Sequence, residues 1–167
     1  MKIIQTHTGE KVFVDDGDYD KLKHFKWYLA TTKRRDQSYA VRYSHRINKR
    51  TFLILMHREI MRAPRGIDVD HRSRNGLDNR RSNLRLCSRT QNQHNQKLRS
   101  TSTSGYKGVS WHRLSRKWEG YITIAGKFIY LGLFVNVRDA AEAYNNAARK
   151  YFGKFARLNN LDKGGVE

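Results

Sequence analysis

DVDHRSRNGLDNRRSNLRLCSRTQNQHNQ, residues 68–96, sets an adjacent Asp70–His71 pair before a turn. It then places Asn79, Asn83, Asn92 and Asn95 among arginines. Asparagine does not neutralise phosphate. Its amide braces loops and lends a neutral oxygen to a hard cation. IDVDH (67–71) reads as a strand with Ile67 and Val69 inward, and RNGLDN (74–79) as a turn that includes Asn79. NLRLC (83–87) reads as a second strand with Leu84 and Leu86 inward. The polar run from Ser88 to about Leu98 has helical spacing, with Ser88 as its cap. The order is strand, loop, strand, helix.

Phosphodiester hydrolysis needs a base for water, a cation for the crowded negative charge, and help for the leaving oxygen. Asp70 and His71 supply a carboxylate and an imidazole. Neighbours on a strand point to opposite faces, so the two converge only where the strand ends and the chain curls. Mg²⁺ takes oxygen ligands and keeps several waters, so one carboxylate and one amide oxygen suffice. Asn92 can give that amide oxygen, and His94 and Asn95 compete for the same place. An isolated Asp-His pair is more often surface decoration. The register of Asn83 and Asn92 in so basic a chain is what favours a site.

Lys and Arg number 34 against 15 Asp and Glu, a formal net charge of +19. Residues 1–96 hold 21 basic and 10 acidic residues, and residues 97–167 hold 13 and 5, giving +11 and +8. Both halves are basic, which points to a polyanion, with nucleic acid ahead of a membrane surface. Solubility alone does not need this much charge of one sign. Hydrophobic residues make up 38% of the chain, and 3 Trp, 9 Tyr and 7 Phe are enough to build cores. The one cysteine, Cys87, rules out an internal disulfide framework and a Cys-x-x-Cys zinc site. The opening MKIIQTHTGEKVF carries no apolar signal segment, and no run approaches the ~18 apolar residues of a membrane span. A cytoplasmic protein is expected, with no membrane and no obligatory protein partner.

Before the central stretch, KVFV (11–14) reads as a strand, DDGDYD (15–20) as an acidic turn, and the following segment with Leu22, Phe25, Trp27 and Tyr28 as a short helix. SYAVRYSH (38–45) alternates as a strand, and TFLILMHREIMR (51–62) begins as a strand and turns helical near Leu55, stopping before Pro64. His57 reads as a core residue ahead of one that approaches DNA. LRSTSTSG (98–105) is a flexible seam. Beyond it, YKGVSW, KWEGYITI and KFIYLGLF form three short strands, and NVRDAAEAYNNAARKYFG forms a helix entered at Asn136. Ala140, Ala141, Tyr144, Ala147, Ala148 and Tyr151 share one helical face. Trp118, Gly120 and Ile122 fall on the sheet face toward that helix, Tyr121 and Thr123 fall on the other, and Trp111 reads as core.

DH, an asparagine twelve residues after the histidine and another nine further on together resemble the motif of HNH nucleases with their ββα-metal fold. VDHRSRNGLDNRRSNLRLCSRTQNQHN, with HREIMRAPRGID before it, is similar to phage and bacterial HNH homing endonucleases. The resemblance implies His71 as general base, Asp70 and Asn92 as ligands of one divalent ion, Mg²⁺ or Mn²⁺, per active site, and Asn83 as the brace of the loop that orients His71. Asn92 stands where the motif's last letter is histidine, which favours Mg²⁺ or Mn²⁺ over zinc. Arg72, Arg74, Arg80 and Arg81 are the phosphate contacts expected beside the site, and Arg85 lies among them in sequence. A phage or bacterial origin is implied as well.

Residues 106–160 resemble the APETALA2/ethylene-response-factor DNA-binding domain through the YKGV opening, the KW step, YLGLF, AAEAYNNAA and the closing ARLNN. Members of that family lay a three-stranded sheet in the major groove of double-stranded DNA with one helix behind it. By matching position, Lys107, Ser110, His112, Tyr121, Thr123 and Tyr130 face outward, and Arg113, Arg116, Lys117 and Lys127 join Lys107 at phosphates. Ser110, His112 and Thr123 stand where the plant pattern has arginines. Arginine is the usual reader of guanine, so the GC-rich target of the plant proteins is not carried over.

The expected architecture is α+β. An N-terminal ββα-metal HNH module (1–97, core motif 67–97) is followed by a linker (98–105), a three-stranded antiparallel sheet packed on one helix (106–160) and a tail (161–167). The expected function is a site-directed, metal-dependent DNA endonuclease of homing or mobile type, nicking as a monomer. The rivals are a DNA-binding regulator with a decayed site and an RNA-directed protein.

Overall fold

The structure, a computed structural model, describes residues 1–32, 37–46, 50–96, 98 and 102–162. It divides into two compact units, Met1–Asn92 and Gln93–Glu167. The expected linker and tail lie partly outside the described residues, at 99–101 and 163–167.

In the first unit, β1 (Lys2–Gln5) and β2 (Lys11–Val14) pair antiparallel. The acidic stretch expected as a turn is the first turn of α1 (Asp16–Leu22). Asp16 and Asp18 sit there because carboxylates are favoured at the positive end of a helix. The helix then ends before Phe25 and Trp27, and Tyr28 opens β3 (Tyr28–Thr32) instead of continuing it. Trp27 is 1% exposed and donates its indole N–H to Leu22 O at 2.9 Å, which fixes the turn out of the helix. β3 pairs with β4 (Gln37–Tyr43), and β4 pairs with β5 (Leu53–Leu55), which runs into α2 (Met56–Ile60). Arg42 on β4 forks onto Glu59 on α2, with both bonds at 2.9 Å.

Only then come β6 (Asp68–His71), β7 (Leu84–Cys87) and α3 (Arg89–His94). The ββα module is therefore not N-terminal. A two-stranded sheet cannot hold itself together in water, and Val69 and Leu84 complete one core with Ile4, Val12, Val14, Trp27, Met56 and Ile60. The preceding sixty residues are the floor on which the module stands. Arg58 of α2 donates to Ile67 O, Ala63 O and Pro64 O, tying the lead-in loop to β6. Ser88 caps α3 reciprocally: Gln91 N–H donates to Ser88 Oγ, and Ser88 N–H to Gln91 Oε1.

Two sequence expectations fail in β7. Leu86 is 44% exposed, and Arg85 is buried at 8%. Alternation alone put both leucines inward, but Arg85 stands opposite Asp70 across the ladder and is drawn in by its carboxylate.

The second unit contains β8 (Val109–His112), β9 (Lys117–Ile124) and β10 (Lys127–Phe134), with sheet order β10-β9-β8, followed by α4 (Val137–Phe152) and a 3₁₀ turn, Gly153–Phe155. Asn136 caps α4 by accepting from Arg138 N–H at 2.8 Å. Ala140, Ala141, Tyr144, Ala147 and Ala148 are buried as the periodicity predicts, but Phe152 is buried in place of Tyr151, which is 46% exposed. Trp111 is also exposed, at 45%. It stands edge-to-face on Trp118 with centroids 5.0 Å apart, outside the core under α4. Gly108 allows the sheet and helix to meet: a Cβ there would lie 2.1 Å from the Tyr144 ring and 2.3 Å from Tyr121 O. The closing segment locks through Asn159, which exchanges bonds with the Lys107 backbone and the Asn145 side chain.

Candidate active site

His71 ends β6, and the chain turns at once: Arg72 N–H donates to Asn83 O at 2.8 Å, and Arg74 N–H to His71 O at 2.8 Å. The loop is braced from inside by Asn83. Its Oδ1 accepts from Ser73 N–H at 2.9 Å, and its Nδ2 donates to Asp78 O at 2.7 Å. The outer end of the loop is stitched to β2, with Phe13 N–H donating to Leu77 O and Asn79 N–H to Phe13 O. Gly76 makes the close approach possible, because a Cβ would fall 2.2 Å from Ser38 O and 2.7 Å from the Tyr39 ring.

These ties deliver Asn79 to His71. Asn79 is fully buried, and its Oδ1 lies 3.2 Å from His71 Nε2. Its Nδ2 reaches Gly76 O at 3.5 Å, which assigns the oxygen to the imidazole side. An amide oxygen only accepts, so it selects the tautomer protonated at Nε2, with the basic lone pair at Nδ1. Sequence reading took Asn79 for a turn residue, and nothing in its spacing signals a partner eight residues back. The His71 ring also meets His57 edge-on, centroids 4.9 Å apart, and lies 5.8 Å from the Tyr39 ring. Burial lowers the pKa of His71, against the opposing pull of Asn79 and the Asp70 and Asp78 carboxylates. Burial, then the His71 and Arg58 charges, lowers that of His57 to about 3.

Asp70 is buried, and its Oδ2 accepts from Arg85 Nε at 2.8 Å and Nη2 at 2.5 Å. Asn92 reaches back from α3 to β6, where its Nδ2 donates to Asp68 Oδ2 at 3.1 Å. Asp68, two residues before Asp70 on the same strand, is thus part of the constellation, although sequence reading passed over it. Among the described residues, no group of three or more His, Cys, Asp or Glu side chains is arranged to hold a metal ion. His94, the alternative ligand, stacks on Phe152 with centroids 3.6 Å apart.

The arginines divide. Arg72 is exposed. Arg74 adopts φ 65° and has a buried Nη1 with no hydrogen-bond partner among the described residues. Arg80 forks onto Asp78 at 2.7 and 2.6 Å, and Arg81 onto Asp18 at 2.8 and 2.7 Å. Both carboxylates compete with phosphate for these two guanidiniums. The Arg81 fork ties the loop to α1.

In the second unit, the sheet face turned from α4 carries Ser110, His112, Tyr121, Thr123 and Tyr130, with Arg113, Arg116, Lys117 and Lys127 exposed at strand ends. His112 Nδ1 accepts from Ser115 N–H and shapes the β8–β9 turn. Lys107 Nζ donates to His94 O at 3.0 Å and Gln96 O at 3.2 Å. Phe128, opposite Thr123, shares this face and was missed, although the alternation in KFIY carries the signal.

The HNH endonuclease family matches residues 62–94. The chain is 39% identical over 64 residues to Protein 3.8 of Escherichia phage T7, a match covering 38% of this chain and 53% of that protein. It is 41% identical over 59 residues to an AP2-like ethylene-responsive transcription factor of Arabidopsis thaliana, covering 35% of this chain and 12% of the plant protein. An uncharacterized HNH endonuclease of Acanthamoeba polyphaga mimivirus is 27% identical over 157 residues, 92% of this chain and 77% of that one. The chain thus spans about half of the phage protein and about an eighth of the plant factor. Among the described residues, no helix is long and apolar enough to cross a membrane. An HNH-type endonuclease domain closing the first unit, and a distinct AP2/ERF-like module of sheet and helix, are both indicated in this chain.

Proposed function

We propose that the protein is a divalent-metal-dependent DNA endonuclease of site-directed, homing or mobile type. The first unit hydrolyses phosphodiester bonds, and the second holds double-stranded DNA. The observation that carries this reading is the tether of His71 by Asn79 within a loop braced by Asn83. A buried imidazole held in one tautomer at a strand end is an arranged base, not a surface histidine.

His71 accepts the proton of the attacking water at Nδ1. Burial keeps the ring neutral near pH 7 and so able to accept it. Asn79 holds the ring, and Asn83 holds the loop. Arg72 offers a charge in solvent reach to a phosphate oxygen, with the half-buried Arg74 beside it in the same loop. The candidate ligands offer oxygen donors. Asp70 and Asn92, with Asp68 at the Asn92 amide, would hold one Mg²⁺ or Mn²⁺. When bound, the ion supplies positive charge to the scissile phosphate and the leaving 3′ oxygen. Arg85 already sits on Asp70, so a cation shares that carboxylate with a guanidinium. The sharing suits a loosely held, water-rich ion better than a tightly caged one.

A basic second unit with arginines and lysines at its strand ends supports backbone contact with duplex DNA. One such site cuts one strand at a time, so a monomer nicks.

The test is conversion of supercoiled plasmid carrying the gene's flanking DNA, in Mg²⁺, Mn²⁺ and EDTA, by wild type and His71→Ala. Open circles that require metal and vanish in the variant, with DNA binding retained, are expected. Equal binding in EDTA with no cutting of that plasmid or of a genomic library in either metal overturns the reading in favour of a DNA-binding regulator.

A further inference from the structure

We propose that the outer face of the β8–β9–β10 sheet reads thymine methyl groups in duplex DNA, with Phe128 as the specificity-determining residue. The proposal rests on the reading of the second unit as a duplex-DNA binder. Strand register puts Phe128 opposite Thr123 and Tyr130 opposite Tyr121, on the face that α4 does not cover. Phe128 is 58% exposed and Tyr130 54%. The Phe128 ring stacks on Tyr121, centroids 5.1 Å apart and planes 23° from parallel. An exposed phenylalanine in a strand leaves apolar surface in water, and here α4 buries the opposite face instead.

The middle of this face carries no guanidinium. Its inner strand positions are Ser110, Glu119, Tyr121, Thr123, Phe128 and Tyr130, with His112 opposite Lys117 at one end, whereas Arg113, Arg116 and Lys127 stand at turns and strand ends. Cations at the rim meet phosphates, and what lies between them meets base edges. Guanine is read by arginine or lysine, and the apolar feature of the major groove is the C5 methyl of thymine. A phenyl ring already stacked on Tyr121 has one face committed, which leaves an edge and a second face for methyl contact. The net charge of +8 on residues 97–167 complements the polyanion.

The experiment uses the full chain in EDTA. A random duplex library is selected for binding, and the selected duplex is titrated intact and with each thymine replaced in turn by uracil, which lacks only the methyl. Wild type and Phe128→Ala are compared. Expected is a site containing thymine, at least one uracil replacement weakening wild-type binding about fourfold, as one lost methyl contact implies, and no such penalty in Phe128→Ala. Phe128→Leu retains part of it. Duplex binding with no uracil penalty, or with the same penalty in both proteins, overturns the inference and leaves duplex binding standing. Preference for single-stranded over duplex DNA also overturns it. Failure to bind any DNA overturns the reading beneath it.

Discussion

Asn79 Oδ1 lies 3.2 Å from His71 Nε2, and both side chains are buried. The contact fixes which imidazole nitrogen carries the proton. Replacing Asn79 by Leu removes the acceptor and frees the tautomer. Single-turnover cleavage should fall about ten- to hundredfold with DNA affinity retained. Asn79→Asp, which keeps an acceptor, should recover part of the rate. The ¹⁵N shifts of the His71 ring should report one tautomer in the wild type and a mixture in Asn79→Leu. An unchanged ring signal beside a lost rate would assign Asn79 a merely structural role.

Gly76 sits against the β4 backbone with no room for a Cβ. Gly76→Ala should destabilise the first unit by roughly 2–4 kcal/mol, the range of severe core overpacking. Cleavage should fall with it, since the same loop carries Asn79. Urea unfolding followed through the amide signals of residues 1–92 measures the loss. A change under about 0.5 kcal/mol would mean that the loop stands off β4 in solution.

Asp70 and Arg85 form a pair in which both side chains are less than a tenth exposed. Arg85→Met strands a buried carboxylate and should cost about 3–5 kcal/mol of stability. Adding Asp70→Asn to the same chain should recover much of it, because the uncompensated charge is gone. If the double variant is no more stable than the single one, the packing of Arg85, and not its charge, holds β7 to β6.

His57 is neutral in the folded protein down to a pH of about 3, while an unfolded-chain histidine takes its proton near 6.5. Between these values the unfolded chain binds more protons, so stability falls as pH falls through the window. It is fully present above 6.5. One such group contributes a slope of up to about 1.4 kcal/mol per pH unit. Urea midpoints of the first unit at pH 7, 6, 5 and 4 should decline accordingly, and His57→Phe should flatten the decline. Parallel profiles for the two proteins would remove His57 as the cause.

The sequence by itself determined several of the local elements and pointed to candidate site residues. Alternation and turn residues were enough for β6, β7, β9 and β10, because a strand's side-chain period is written in its residues. The alanine face of α4 and its Asn136 cap were legible for the same reason. His71, Asp70, Asn83 and Asn92 stood out by residue type and spacing. What the tertiary structure decided were partners distant in the chain. Arg81 forks onto Asp18, sixty-three residues away, and Arg85 leaves the surface for Asp70. Leu86, on the strand face of the buried Leu84, is nevertheless 44% exposed. Phe152 takes the buried place that helical period offered Tyr151, and the first sixty residues form a floor beneath the ββα unit instead of a prelude to it. Asn79 became a tether only when β2 caught its loop and Gly76 let that loop reach β4. Periodicity is a property of neighbours along the chain. Charge pairing, close approach and the choice of which large side chain fills a core are settled by what folding brings alongside.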